Sequence, residues 1–291
     1  MLEYIRCDVE QYGKNGDKTL ECIGINISNK GCQEYKCYRF YVEENKMEFP
    51  YVEVFEQCSS LRKLDAQKIN ENMYRINYKV QKINDYEILK NDISHIFSKC
   101  IKTKVTAEEL MEINLYLKKL LGTREEPLCV IGGKIYENQK IQQLKMYFKL
   151  KIFDYKKKKS PFLAADEKYM QLLEKLQEKY RINSLEMKKI EKVLIFSKKM
   201  GYESMQLGFN ITDKIDEIKY YFRKAQNASK EINDNKEVFP LLNILNIGVS
   251  TSLEFVLNTL AKINLELKAF AISYNISEKT MNEIKLYYDE K

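Results

Sequence analysis

Proline and glycine are scarce in this chain, at 4 and 10 of 291 residues, against 21 Tyr and 13 Phe. A sequence so poor in breakers and so rich in rings is neither disordered nor collagen-like. No run of about eighteen apolar residues occurs, so nothing is expected to span a membrane. The most apolar stretch, Val238 to Leu257, is broken by Pro240, several Asn and Glu254. The opening MLEYIRCDVEQYGKNGD carries charges throughout and no apolar core, which predicts no signal peptide. The seven cysteines (Cys7, Cys22, Cys32, Cys37, Cys58, Cys100 and Cys129) are odd in number and form no C-x-x-C pair. Neither a disulfide framework nor a zinc ribbon is indicated, and reduced thiols in the cytoplasm are expected. P-loop, GxGxxG, GxSxG and DDxxD motifs are all lacking, which removes support for NTPase, Rossmann, hydrolase and aspartate-metal chemistry. The one histidine, His95 in ISHIFSK, reads as a partly exposed helix residue rather than a catalytic base.

What the chain has is an apolar fraction of 44%, enough for a sizeable core, and a net charge of +7. The charge excess is too small to argue for nucleic acid, but it favours an anionic ligand over a cationic one. Four segments repeat one pattern of strand, short polar turn and second strand carrying Lys-x-Tyr. They are Ile23 to Phe40, Val130 to Leu150, Leu207 to Lys224 and Ala271 to Glu290. Each has the period-two alternation and turn chemistry of a hairpin. A fifth hairpin is expected to pair Tyr51–Gln57 with Asn72–Val80. Helices are expected at 85–99, at 106–121 behind a Thr106/Glu109 capping box, at 166–180, at 184–200 before Gly201, and at 251–262. The Lys156–Lys159 run reads as a solvated loop.

Strand faces carry the functional argument. In Leu144 to Ile152, Leu144, Met146, Phe148, Leu150 and Ile152 alternate with Lys145, Tyr147, Lys149 and Lys151. Ile218, Tyr220 and Phe222 oppose Lys219, Tyr221 and Arg223, and Ile284, Leu286 and Tyr288 oppose Lys285 and Tyr287. The partner strands put small groups on the polar side: Cys22, Gly24 and Asn26; Gly132; Ser204, Gly208 and Asn210; Ala269, Ala271, Ser273 and Asn275. Five Lys-x-Tyr matches occur, and chance spacing gives roughly three. The information lies in register, since four of the five fall at one place in a repeated hairpin. A sheet with an apolar face on helices and a Lys, Tyr and small-residue face either meets water or closes on a polar lumen. The small residues favour the lumen. The expected fold is α+β, a ten-stranded antiparallel barrel with helices outside, as one domain over 1–291.

Ammonium groups beside phenol hydroxyls form a donor cage for a multiply charged oxyanion, pyrophosphate above all. Aromatic rings stabilise a nearby cation by about 0.5–2 kcal/mol. A ligand that is anionic at one end and becomes carbocationic at the other is an allylic pyrophosphate.

Hairpins with inward Lys-x-Tyr pairs between helices resemble the ABBA prenyltransferases, a family that includes fungal dimethylallyl tryptophan synthases and bacterial phenol prenyltransferases. QQLKMYFKL, QLGFNITDKIDEIKYYFRKA and NEIKLYYDE look most like segments of the cyanobactin peptide prenyltransferases, in the same order. The resemblance spans about residues 20 to 290. It implies transfer of a dimethylallyl or geranyl group from its pyrophosphate to an electron-rich acceptor, either an aromatic small molecule or a peptide Tyr or Trp. It implies Lys145, Tyr147, Lys219, Tyr221, Lys285 and Tyr287 as pyrophosphate or shield residues, joined by Lys36 and Tyr38. It also implies an Arg on the pyrophosphate and a barrel Glu on the acceptor, and two registers compete for these. Local wording selects Glu21 and Arg39. Alternation selects Glu53 and Arg75, with the 20–43 hairpin standing where the family has its last. Mg²⁺ would arrive on the pyrophosphate, without dedicated protein ligands. A monomer with no membrane and no nucleic-acid partner is expected. Two alternatives compete with this reading. One is a single-stranded nucleic-acid binder using an open basic and aromatic sheet. The other is a non-catalytic scaffold.

Overall fold

A computed structural model describes residues 19–29, 34–42, 52–70, 73–81, 85–136, 141–150, 162–224, 237–262 and 265–290. The Lys156–Lys159 run lies outside them. Within the described residues ten strands form a single antiparallel sheet. They are β1 Thr19–Ser28, β2 Glu34–Val42, β3 Leu61–Asn70, β4 Met73–Val80, β5 Leu128–Tyr136, β6 Gln143–Lys149, β7 Tyr202–Ile211, β8 Ile215–Lys224, β9 Leu265–Asn275 and β10 Thr280–Glu290. From β3 to β10 the chain runs as an unbroken meander, and β1 then pairs back onto β10, leaving β2 and β3 as the edges. Seven helices are described: α1 Val52–Glu56, α2 Tyr86–Cys100, α3 Ala107–Leu121, α4 Phe162–Tyr180, α5 Ser184–Lys199, α6 Val238–Ile244 and α7 Thr251–Lys262. The architecture is α+β.

The expected closed barrel is not what the hydrogen bonds form. Among the described residues no ladder joins β2 to β3. The sheet is nevertheless far from flat. Nine strand spacings of about 4.8 Å would hold the edges of a flat sheet roughly 43 Å apart, yet β2 and β3 approach within 8 Å between Cα atoms.

Alternation explains which face turns to the helices. Ile23, Ile25, Ile76, Tyr78, Ile131, Leu144, Met146, Phe148, Phe209, Tyr220, Phe222, Phe270, Tyr274, Leu286 and Tyr288 are all essentially inaccessible, in one continuous core with the helices. Rings pack across neighbouring strands, as with Phe222 and Phe270 (centroids 4.8 Å) and Phe148 and Phe209 (5.6 Å, edge to face). Each such side chain contributes about 1.5–3 kcal/mol by leaving water.

Local chemistry sets the helix ends. Thr106 Oγ1 accepts from Glu109 N (3.1 Å), and Gly122, at φ +62°, ends α3 with its N–H on Lys119 O. Asp85 caps α2 through the amides of Glu87 and Ile88. Asn114 on α3 is buried, and its Oδ1 accepts from Leu128 N (2.9 Å), fixing the start of β5. Glu186 on α5, also buried, accepts from Met281 N (2.8 Å) and so ties that helix to β10.

The fifth hairpin departs from expectation. Residues 52–56 are a helix, and β4 pairs instead with β3. Five residues, VEVFE, are too few to separate a period of two from one of 3.6. The structure resolves the ambiguity with Phe55 and Cys58 buried together three apart, Phe55 stacking on Tyr78 at 4.7 Å. Strand β3 reads poorly because register shifts between Lys63 and Asp65 and between Lys68 and Asn70 break its alternation.

Candidate functional site

Opposite the apolar face, the cross-strand register assembles a second set of side chains. Lys145 on β6 is flanked by Gly132 and Asn210, Lys219 on β8 by Gly208 and Ser273, and Lys285 on β10 by Ala271 and Asn26. Tyr147 lies between Val130 and Gly208, Tyr221 between Gln206 and Ala271, and Tyr287 between Ala269 and Gly24. Long side chains therefore rise from β6, β8 and β10, about 10 Å apart, over intervening strands whose positions beside the lysines carry short ones. They can lean across and converge.

The small residues have a more specific use than expected. At Gly132 an added Cβ would lie 2.4 Å from Asn77 Oδ1 and 2.6 Å from the carbonyl of Ile76. At Gly208 it would lie 3.1 Å from the Tyr221 ring and 3.3 Å from that of Tyr147. The space beside these glycines is filled by cross-strand side chains. At Gly208 it lets the Tyr147 and Tyr221 rings meet edge to face at 5.6 Å.

Despite facing away from the helices, Lys145 and Lys219 are only 5% and 4% exposed, and Tyr147, Asn77 and Asn210 are buried as well. Arg75, Lys134, Tyr221, Glu283, Lys285 and Tyr287 are half-buried around them. Arg75 is in register with Lys134. Two carboxylates face this group. Glu217 lies 3.0 Å from Lys219 Nζ and accepts from Asn210 Nδ2. In the amide orientation that satisfies its neighbours, Asn26 donates to Glu283 Oε1 (3.1 Å).

Crowding of like charge in a dry place sets the electrostatics. Burial first, then Lys219, Lys134, Arg75 and Lys285, hold Lys145 well below the usual lysine range. Burial and Lys219 bring Lys285 down to about 7, with Glu283 opposing, and Lys134 is lowered by the same two causes. Lys219 goes the other way. Burial disfavours its charge, but Glu217 and then Glu283 outweigh burial and raise it. Glu217 is correspondingly lowered, Lys219 overcoming burial. Burial and Tyr147 push the Tyr221 phenol well up, so it stays a neutral donor. Five cations against two carboxylates leave a surplus of three positive charges when every group is charged. That arrangement is costly empty and is relieved by a polyanion.

Several anticipated residues stand elsewhere. Glu53 is exposed on α1, where it accepts from Gln57 Nε2 at 3.5 Å, because α1 is a helix and not a sheet strand; it stands apart from the cluster. In the ladder Lys36 pairs with Asn26 and Tyr38 with Gly24, on the rows of Lys285 and Tyr287, whereas Arg39 pairs with Ile23 of the apolar face. Of the two arginines, Arg75 is the one in register with the cluster. Glu21 falls at the irregularity between Leu20 and Cys22. The side chains of Glu21, Lys36, Tyr38 and Arg39 lie outside the described residues. His95 is half-buried on α2, its Nε2 3.2 Å from Gln57 Oε1.

Sequence reasoning missed Lys134, Glu217 and Glu283 as site residues. The signal was present: Glu217 and Glu283 each stand two positions before a cluster lysine, which in a strand puts them on its face. Both carboxylates are engaged by the protein's own donors, and no cluster of three or more His, Cys, Asp or Glu occurs among the described residues. No described helix is long and apolar enough to cross a membrane. No family model and no curated protein matches this sequence.

Proposed function

We propose that this protein transfers a prenyl group from an allylic pyrophosphate to an electron-rich aromatic acceptor, a small molecule or a peptide side chain. The observation that carries the reading is a set of five cations, two buried and three half-buried, walled by tyrosines, on the inner face of a sheet whose edges approach each other. The rolled sheet then serves as a barrel with a polar lumen, in keeping with the sequence resemblance to ABBA prenyltransferases.

In this mechanism the pyrophosphate seats against Lys134, Lys145, Lys219, Lys285 and Arg75, which neutralise charge as the carbon–oxygen bond breaks and its electron pair passes to the leaving group. Tyr147, Tyr221 and Tyr287 present ring faces and neutral hydroxyls beside the allylic cation, shielding it from water. The acceptor's nucleophilic atom closes the new bond to the allylic carbon and gives its proton to the departed pyrophosphate. Glu53, exposed on its helix, takes no part. Mg²⁺ enters only as a companion of the pyrophosphate.

Burial argues against the alternative of an open sheet that binds single-stranded nucleic acid. Such a face needs accessible lysines, and Lys145 and Lys219 are almost fully enclosed. Incubation with radiolabelled five-, ten- and fifteen-carbon pyrophosphates and a panel of aromatic acceptors tests the reading. Label should move to an acceptor, and Lys219→Ala should abolish the transfer while leaving the fold intact. Absence of transfer across the panel, with tight salt-sensitive binding to single strands instead, would refute it.

A further inference from the structure

A simple anion receptor has no use for carboxylates, yet this one contains two. Glu217 precedes Lys219 by two residues on β8, lies 3.0 Å from its ammonium, and is itself held by the Asn210 amide from β7. Every cation in the cluster acts on Lys219 or on its neighbours: Lys145 from β6, Lys134 from β5, Lys285 from β10, and Arg75 from β4. Glu283 and Tyr287 on β10, Tyr147 on β6 and Tyr221 on β8 are the other titratable groups described there. The flanking positions on β7 and β9, Gly208, Asn210 and Ser273, do not titrate.

Lys145 and Lys219 form a natural comparison. Both are nearly inaccessible and both sit among the same cations. Of the two, only Lys219 has a carboxylate in contact among the described residues, and only Lys219 has its charge favoured. We propose that Glu217 is a positioning residue for the anion site, keeping Lys219 fixed and charged while the site is empty. An arriving polyanion then meets one lysine already charged, and its own charge favours the charged form of the others. The inference rests on the anion-site part of the proposed function and is independent of prenyl transfer.

The test titrates wild type, Glu217→Gln and Glu217→Asp with inorganic pyrophosphate by calorimetry at pH 6 and pH 9. The ratio of variant to wild-type affinity at each pH cancels the ionisation of pyrophosphate itself. At pH 6, Glu217→Gln should bind at least as tightly as wild type, because a negative charge has left the site. At pH 9 it should bind at least about tenfold more weakly, since binding must now also protonate Lys219, at about tenfold per pH step. Glu217→Asp should keep the wild-type profile. If Glu217→Gln does not fold, Lys219→Gln and the double variant E217Q/K219Q should show one and the same pH dependence. Equal losses at both pH values, or a double variant whose pH dependence differs from that of Lys219→Gln, would overturn the role. A wild type that ignores pyrophosphate would overturn the anion site with it. Normal pyrophosphate binding without prenyl transfer would overturn only the reaction.

Discussion

Lys285 gives the sharpest thermodynamic handle on the empty site. In the folded protein burial and Lys219 bring it from 10.5 to about 7, whereas in the unfolded chain it titrates normally. Each tenfold change in proton affinity is worth about 1.4 kcal/mol. Lys285 therefore costs the empty protein about 5 kcal/mol at pH 6 and below, through its buried charge, and about 2 kcal/mol at pH 9, through the proton it gives up on folding. The sign follows from proton counts. Between pH 7 and 10.5 the unfolded chain holds this proton and the folded protein does not, so stability rises with pH. Lys285→Met keeps the length of the side chain and removes the titration. Urea unfolding of both proteins at pH 6 and pH 9 isolates the effect as a difference of differences. Wild type should gain about 3 kcal/mol more than Lys285→Met between the two pH values. Identical pH dependence of the two proteins, or a wild type that gains less than the variant, would refute the placement of Lys285 in a buried cationic cluster.

Further outcomes follow from the same structure. Gly132→Ala should destabilise by about 1–3 kcal/mol or more, because its Cβ meets a backbone carbonyl at 2.6 Å. Gly208→Ala should cost less, its 3.1 Å contact being with a ring that can turn; urea midpoints rank the two. Asn114→Ala should lose about 1–3 kcal/mol by orphaning the Leu128 amide, read by the same assay. Saturating pyrophosphate should raise the melting temperature of wild type, and the increment should shrink from pH 6 to pH 9 after correction for pyrophosphate ionisation. Thr106→Ala should cost about 1 kcal/mol through loss of its cap on Glu109, a check on the fold alone.

The parts of the fold that could be read from sequence are those where one physical rule acts undisturbed. Leu144 to Lys149 and Ile218 to Arg223 alternate without interruption, so strand, face and partner row all follow. In β3 two register shifts scramble that signal, and in VEVFE the segment is too short to carry a period. The faces of Lys145, Tyr147, Lys219, Tyr221, Lys285 and Tyr287 were readable because alternation fixes them locally, whereas Lys134 was passed over. The closing geometry was not, since the relation of β2 to β3 depends on curvature summed over the whole sheet. Glu217 and Glu283 went unassigned because a carboxylate near a lysine reads from sequence as an ordinary solvated pair. Only burial and the 3.0 Å contact distinguish Glu217 from that. Gly132 and Gly208 were correctly weighted as small, yet their partners, Asn77 and the two tyrosine rings, emerge only from the pairing register.

The most direct test is a crystal structure of the protein with a non-hydrolysable thio analogue of dimethylallyl pyrophosphate. The diphosphate should lie within hydrogen-bonding distance of Lys145, Lys219 and Lys285, with the prenyl tail against Tyr147 and Tyr221. A diphosphate bound only on the outer surface, or these lysines turned outward into bulk water, would contradict the account.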